Sequence, residues 1–231
     1  MKNIAIIPAR GGSKRIPRKN IKDFYGKPII AYSIEAALKS ELFEEVVVST
    51  EDTEIADLSI KYGAKVPFMR SVKNANDYAT TVDVLLEVFE QYSNLKQSFD
   101  CACCIYPTAP MVSSEKIKRG FEKLVFENRT SVFSAVAFEY PIWRGIRESE
   151  NGKFSMIWPE NVKVRTQDFE NVYHDAGQWY WVNISDFKTK QSLFSDNSSV
   201  IILSQVEVQD IDTLSDWKLA ELKYEILQKS E

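Results

Sequence analysis

The sequence predicts an α/β protein whose core is a doubly wound, mostly parallel sheet. Three observations lead there. Apolar, β-rich runs alternate with amphipathic segments over residues 3–138; the first run opens directly into a basic loop with paired glycines; and the alternation breaks once, over residues 139–175, before resuming. A βαβα rhythm of this kind folds into parallel strands covered by helices.

Residues 3–8 read as the first buried strand. Residues 29–39 follow as a helix with Pro28 in its first turn, where a missing N–H costs nothing. Residues 45–49 form a second strand leading through Thr50, Glu51 and Asp52, a natural cap, into a helix ending at Tyr62 and Gly63, where glycine suits the left-handed C′ position. Residues 65–68 read as a short strand, 81–92 as helix, 100–106 as strand, 114–128 as helix and 131–138 as strand. Within 139–175, residues 143–148 and 153–158 flank Glu150, Asn151 and Gly152, the pattern of a hairpin insertion. Its aromatics Tyr140, Trp143 and Trp158 exceed what a solvated arm needs, so the arm is expected to pack on something, a second subunit being one candidate. Segments 177–183, 200–203 and 207–210 return to the sheet, and a final helix spans 213–228. No repeat, linker or low-complexity tract divides the chain, so residues 1–231 read as one domain carrying the insertion.

Lys and Arg number 29 against 33 Asp and Glu, a net charge of −4, and 44% of residues are apolar, a globular composition. An acidic chain lacks the broad positive field of a nucleic-acid coat or membrane-surface protein, so an anionic ligand must be met by local charge. No apolar run approaches the roughly 18 residues of a membrane span, and Pro8 and Arg10 interrupt the first run too early for a secretory signal. A cytoplasmic protein is expected. The three cysteines, Cys101, Cys103 and Cys104, crowd into one apolar stretch and read as reduced core residues. His174 is the only histidine, which disfavours both a zinc site and Ser-His-Asp chemistry.

The loop after the first strand carries Ala9, Arg10, Gly11, Gly12, Ser13, Lys19 and Asn20, and six cationic side chains by Lys22, namely Arg10, Lys14, Arg15, Arg18, Lys19 and Lys22. Consecutive glycines let backbone N–H groups converge as an anion nest, and Arg and Lys add charge-assisted bonds to phosphate oxygens. The combination suits a nucleoside triphosphate, although it is neither a Walker loop nor a dinucleotide fingerprint. A solvated basic loop and a nucleic-acid patch are the alternatives. Near the C-terminus, Asp210 and Asp212 stand at i and i+2, so on an extended segment both face one side while Ile211 faces the other. Two such carboxylates suit Mg²⁺, which completes its octahedron with waters and substrate phosphates. The alternative is a helix start capped by Asp212 or Thr213, with Asp210 a surface charge.

These motifs, with Gly26-Lys27-Pro28-Ile29-Ile30, Val47-Val48-Ser49-Thr50-Glu51-Asp52 and Tyr106-Pro107-Thr108-Ala109-Pro110, resemble the CMP-sialate synthetase family of sugar-activating cytidylyltransferases over nearly the whole chain. The segments Arg165-Thr166-Gln167-Asp168 and His174-Asp175-Ala176-Gly177-Gln178-Trp179-Tyr180-Trp181 strengthen the likeness. The resemblance implies a Rossmann-like nucleotide-sugar transferase fold. It also implies transfer of CMP from CTP to the anomeric hydroxyl of an acidic nine-carbon sugar, with release of pyrophosphate. It further implies Arg10, Lys19, Asn20 and Arg70 at the nucleotide, Mg²⁺ on Asp210 and Asp212, and a homodimer whose hairpin arm reaches the neighbouring site. Members that activate sialate carry a glutamine before the Pro-Thr-Ser-Pro segment; Tyr106 stands there in this chain, which counts against N-acetylneuraminate, and the resemblance as a whole makes pseudaminic acid the expected acceptor. Ser71 departs from the family proline that follows the arginine matched by Arg70.

In-line attack on an α-phosphate needs positioning and charge neutralisation more than covalent catalysis. Arg10 and Lys19 would stabilise the α-phosphate and departing pyrophosphate, with Asp210 and Asp212 holding the metal. Asp210 and a metal-held hydroxide both stand as acceptors of the nucleophile's proton. The acceptor's carboxylate calls for an arginine fork, for which Arg165 beside Gln167 is the candidate, with a surface ion pair as the alternative. Tyr106, Thr108, His174 and Tyr180 complete the candidate sugar contacts. His174 reads equally as a core or interface residue, and the Trp179 to Trp181 run reads as a half-buried strand. Legionaminate and neuraminate remain as other acceptors, an eight-carbon ulosonate stands last, and an RNA-binding protein using the basic loop is the reading from a different class.

Overall fold

In the computed structural model, which describes residues 1–229, the apolar run of β1 (Asn3–Pro8) sits inside the sheet rather than at its edge. Ala5 and Ile7 enter the core on one face and Ile4 and Ile6 the core on the other, as an unbroken apolar strand requires. A two-residue ribbon, β2 (Asp23–Phe24) with β3 (Lys27–Pro28), precedes α1 (Ile29–Ser40). The chain continues through β4 (Glu45–Ser49), α2 (Thr53–Lys61), α3 (Thr81–Asn94), β5 (Cys101–Ile105), α4 (Ser114–Phe126) and β6 (Ser131–Ala137). After the arm come β9 (Tyr173–Asn183), α5 (Ile184–Lys190), β10 (Ser198–Leu203) and α6 (Leu214–Gln228).

The sheet order is β10-β6-β9-β5-β1-β4. Strand β1 is parallel to β4 and β5, β10 is parallel to β6, and β9 alone runs antiparallel, wedged between β5 and β6. Helices α1, α2 and α4 cover the face that receives Trp179 and Trp181, while α3 and α5 cover the face that receives Tyr180 and Val182. The Trp179 to Trp181 run is therefore fully buried, not half-buried. Cys101 and Cys103 share one face and Cys104 takes the other; all three are free thiols, and burial pushes Cys101 up to about 11. Among the described residues no helix is long and apolar enough to cross a membrane.

The caps follow the sequence reading closely. Asp52 accepts from Ile55 N at the start of α2, and Gly63 takes the left-handed conformation beyond its end. Thr213 caps α6 in a reciprocal box with Asp216. Pro28 is the N-cap of α1 rather than a first-turn residue. Residues 65–68 do not form a strand: Lys65 makes a single bridge to Val47. Nor do residues 207–210, where a 3₁₀ turn (Gln205–Glu207) gives way to unpaired extended backbone.

Between β6 and β9 the chain makes the arm, with β7 (Ile146–Glu148) and β8 (Phe154–Met156) as an antiparallel hairpin. Trp143 and Trp158 are half-buried against each other, packed edge-to-face at 5.4 Å, so part of the arm's aromatic surface is spent within the arm itself. Tyr140, Ile146, Phe154 and Val162 remain exposed along it.

Candidate active site

Because β1, β4 and β5 are parallel, the loops that follow them emerge at one edge of the sheet, where ligands of such folds bind. A pocket of about 310 Å³ opens there. The β1 loop contributes Arg10, Ser13, Lys14, Arg15, Lys19 and Asn20; Arg70 enters from beyond β4; Tyr106 and Thr108 follow β5. Ala79, Thr80 and Thr81 bring the N-terminus of α3, and Asp212 comes from the segment before α6. Thr80 caps α3 in a reciprocal box with Asp83, and an N-terminus so placed favours an anion.

The glycines of the β1 loop act differently from a nest open to the pocket. Ala9 is buried, and its N–H donates to Ser49 O at 2.9 Å. Gly11 N donates to Glu51 Oε1 at 2.7 Å, and a Cβ on Gly11 would fall 2.5 Å from Asp52 Oδ2. None of Ala9, Gly11 and Gly12 lines the pocket; a Cβ on Gly12 would meet nothing within 4 Å. Two of the six cations also turn away. Arg18, in a left-handed conformation at φ 54, is forked onto Asp52 and reaches Glu54, and Lys22 lies 5.2 Å over the Trp217 ring. Asn20 fixes the turn by donating from Nδ2 to Arg10 O at 2.9 Å.

The remaining four cations face the pocket in two pairs. Arg10 meets Asp77 Oδ1 at 2.7 Å, and Lys14 closes on the other oxygen of the same carboxylate. These two contacts, Lys14 first, hold the Asp77 carboxyl below the usual carboxylate range. Arg15 meets Asp212 Oδ1 at 2.7 Å, while Lys19 donates to Ile211 O and lies 3.8 Å from Asp212. Burial lowers the Lys19 ammonium, against the opposing pull of Asp212 and Asp210. Arg70 is buried, donating from Nε to Ser49 Oγ at 3.1 Å and from a second nitrogen to Ser49 O, and burial lowers its pKa as well. Ser71 explains its own departure from proline: its N–H donates to Glu87 Oε1 at 2.7 Å, a bond proline lacks the hydrogen to make.

Asp212 lines the pocket and Asp210 stands two residues back. Partial burial first, and the Asp212 carboxylate second, push the Asp210 carboxyl above its ordinary value. Two hard oxygen donors held in mutual repulsion fit a divalent cation, whose charge relieves both costs.

Four candidate sugar contacts lie away from this pocket. Arg165 is forked onto Asp168 on the arm, at 2.8 and 3.1 Å, the surface ion pair rather than an open fork, and Gln167 shares its 3₁₀ turn. His174 is exposed beside Phe138, with ring centroids 4.7 Å apart. Tyr180 is buried behind Tyr106, their centroids 5.4 Å apart. In the other direction, Asp77, Thr80 and Thr81 escaped the sequence reading. The Thr80-to-Asp83 spacing marks a helix start, but nothing in it shows that the start opens onto the β1 loop.

Residues 4–178 match the cytidylyltransferase family. A pseudaminic acid cytidylyltransferase from Campylobacter jejuni is 43% identical over 230 residues, covering 100% of this chain and 99% of the relative. The CMP-N,N'-diacetyllegionaminic acid synthase of Legionella pneumophila is 32% identical over 231 residues, covering 100% and 99%. Among solved structures, a CMP:2-keto-3-deoxy-manno-octonic acid synthetase complexed with CTP superposes with a TM-score of 0.70 at 19% identity, over 99% of this chain and 100% of that one, a likeness of fold.

Proposed function

The chain belongs to the cytidylyltransferase family, and from that membership we propose that it transfers CMP from CTP to the anomeric hydroxyl of pseudaminic acid and releases pyrophosphate. The observation that carries the reaction class is the gathering of Arg10, Lys14, Arg15, Lys19 and Arg70 around one pocket with Asp212 on its wall. The full-length relative at 43% identity carries the acceptor.

The anomeric oxygen attacks the α-phosphorus of CTP, the bond from that phosphorus to the bridging oxygen breaks, and pyrophosphate leaves with the electron pair. Arg10, Lys14 and Lys19 neutralise charge on the phosphate chain, Arg70 and Asn20 hold the loop and nucleotide in register, and the α3 N-terminus adds a fixed positive dipole. Asp210 and Asp212 hold the divalent cation, which we assign as Mg²⁺; when bound it polarises phosphate oxygens and lowers the pKa of the attacking hydroxyl. Asp210 and a hydroxide that the cation would hold both stand as acceptors of the nucleophile's proton. Tyr106 and Thr108 form the sugar side. The exposed apolar residues of the arm support a homodimer in which Arg165, Gln167 and His174 serve the neighbouring copy. We assign the enzyme to the cytoplasm, where CTP is made.

The test is pyrophosphate release from CTP and Mg²⁺ with pseudaminate, legionaminate and N-acetylneuraminate side by side. Turnover confined to pseudaminate is expected. Turnover on another of the three alone overturns the acceptor and keeps the chemistry; salt-sensitive RNA binding without turnover overturns both.

A further inference from the structure

The segment from Val47 to Asp52 does not line the pocket, yet its last residues hold the loop that does. Strands β1 and β4 pair in parallel as far as Pro8 and Ser49, and Ala9 N adds a backbone rung to Ser49 O at 2.9 Å. In a parallel ladder the next rung of that series lies two residues further on, from Gly11 N to Glu51 O. There the chain after β4 turns off into α2, which Asp52 caps. The Glu51 side chain takes over the rung: Gly11 N donates to Glu51 Oε1 at 2.7 Å.

That bond fixes a peptide plane. Arg10 O accepts from Asn20 Nδ2 at 2.9 Å, and the N–H at the other edge of the same planar group is the one Glu51 holds. Gripped from both edges, the unit joining Arg10 to Gly11 cannot turn, so Arg10 leaves the backbone in one direction and lines the pocket. Asp52, clamped by Arg18, fills the space where a Cβ on Gly11 would go and keeps the loop from settling toward α2. The second oxygen of Glu51, Oε2, is buried and has no hydrogen-bond partner among the described residues. A buried oxygen left so costs stability. What the carboxylate contributes is therefore the bond from Oε1 and a negative charge, which acts on buried Arg70.

We propose that Glu51 is a positioning residue for Arg10, extending the β1–β4 ladder by one side-chain rung so that the Arg10 guanidinium is aimed at the phosphates of CTP. The proposal rests on reading this pocket as the site where CTP is attacked. The bond to Gly11 N does the positioning, and the charge on Arg70 is incidental to it.

Steady-state kinetics of pyrophosphate release with the best acceptor sugar test this, on Glu51→Ala, Glu51→Asp, Glu51→Gln, Arg10→Ala and the Arg10→Ala/Glu51→Ala double variant, with thermal unfolding of each. Glu51→Ala is expected to lower kcat/KM for CTP about tenfold and to leave KM for the sugar within about twofold. Glu51→Asp keeps the charge but withdraws the oxygen, and is expected to lose nearly as much. Glu51→Gln loses the charge but keeps an oxygen that accepts from Gly11 N, and is expected to stay within about threefold of wild type. This pair carries the test should Glu51→Ala unfold. Arg10→Ala is expected to cost about a hundredfold. The double variant is expected to be no worse than Arg10→Ala alone, because Glu51 acts through Arg10. Unchanged kcat/KM in Glu51→Ala or Glu51→Asp, a Glu51→Gln as impaired as either, or losses that multiply in the double variant overturn the proposal alone. A wild-type chain that turns over none of pseudaminate, legionaminate and N-acetylneuraminate overturns the reading of the site, and the proposal with it.

Discussion

Arg10 and Asp77 meet at 2.7 Å across the mouth of the pocket, and Lys14 holds the second oxygen of the same carboxylate. A carboxylate gripped by two cations sits where a phosphate would draw on them, so a triphosphate must displace it. Asp77→Asn is therefore expected to tighten CTP binding several-fold at low salt, with the gain shrinking as ionic strength rises. Calorimetry at two salt concentrations checks this; an unchanged Kd at low salt would remove Arg10 and Lys14 from the phosphate site.

The paired glycines separate by what surrounds them. Gly11→Ala drives a Cβ toward Asp52 Oδ2 and disturbs the bond from Gly11 N to Glu51, so it is expected to cost about 1–3 kcal/mol and to raise KM for CTP. Gly12→Ala has open space and is expected to stay close to wild type. Thermal unfolding and CTP titration of the two variants side by side decide it; equal damage from both would restore the anion nest.

Asp212→Ala is expected to abolish turnover at any Mg²⁺ concentration while circular dichroism remains that of the wild type. The variant leaves Arg15 without its 2.7 Å partner and Asp210 as the lone carboxylate for a cation. Full activity in Asp212→Ala would remove the metal assignment.

Asp52 links the loop to α2 and gives the protein an acid-sensitive joint. The Arg18 hydrogen bond, helped by the Ile55 N–H, holds its carboxyl below the ordinary value of 3.8. A depressed carboxylate stabilises the fold fully above that ordinary value and loses the contribution as pH falls through the folded one. Asp52→Asn is expected to cost about 1–2 kcal/mol at neutral pH and to flatten the loss of stability on acidification. Urea denaturation at neutral pH and near pH 3 reads both.

Much of the fold was legible because its signals are local. Strand β1 declares itself as an unbroken apolar run, Asp52 and Thr213 announce the helices they cap, and Gly63 ends one. What escaped depends on partners distant in sequence. Residues 207–210 carry strand-like composition, but side chains distant in sequence take their carbonyls instead of a strand, Gln178 Nε2 donating to Glu207 O and Lys223 Nζ to Val208 O at 2.6 Å. Helix α5 has only seven residues, too few to show a period. The β1 loop displayed its cations, but Arg18 went to Asp52 and Glu54, acids that become neighbours only when β4 pairs with β1. Asp77 reached Arg10 and Lys14, and Thr81 entered the pocket, by the same route, through the placement of α3 and the residues before it rather than through any motif.

The arm leaves the sheet and returns to it at adjacent points: Ala137 at the end of β6 pairs with Tyr173 at the start of β9, and Phe138 N donates to Val172 O at 2.9 Å. The sheet is thus spliced shut beneath the excursion, and strand register is set without reference to what the excursion contains. Lengthening a flexible connection whose ends are already together is cheap, about 0.6 kcal/mol for each doubling. The arm can therefore change in length and sequence while the sheet beneath it keeps its alignment.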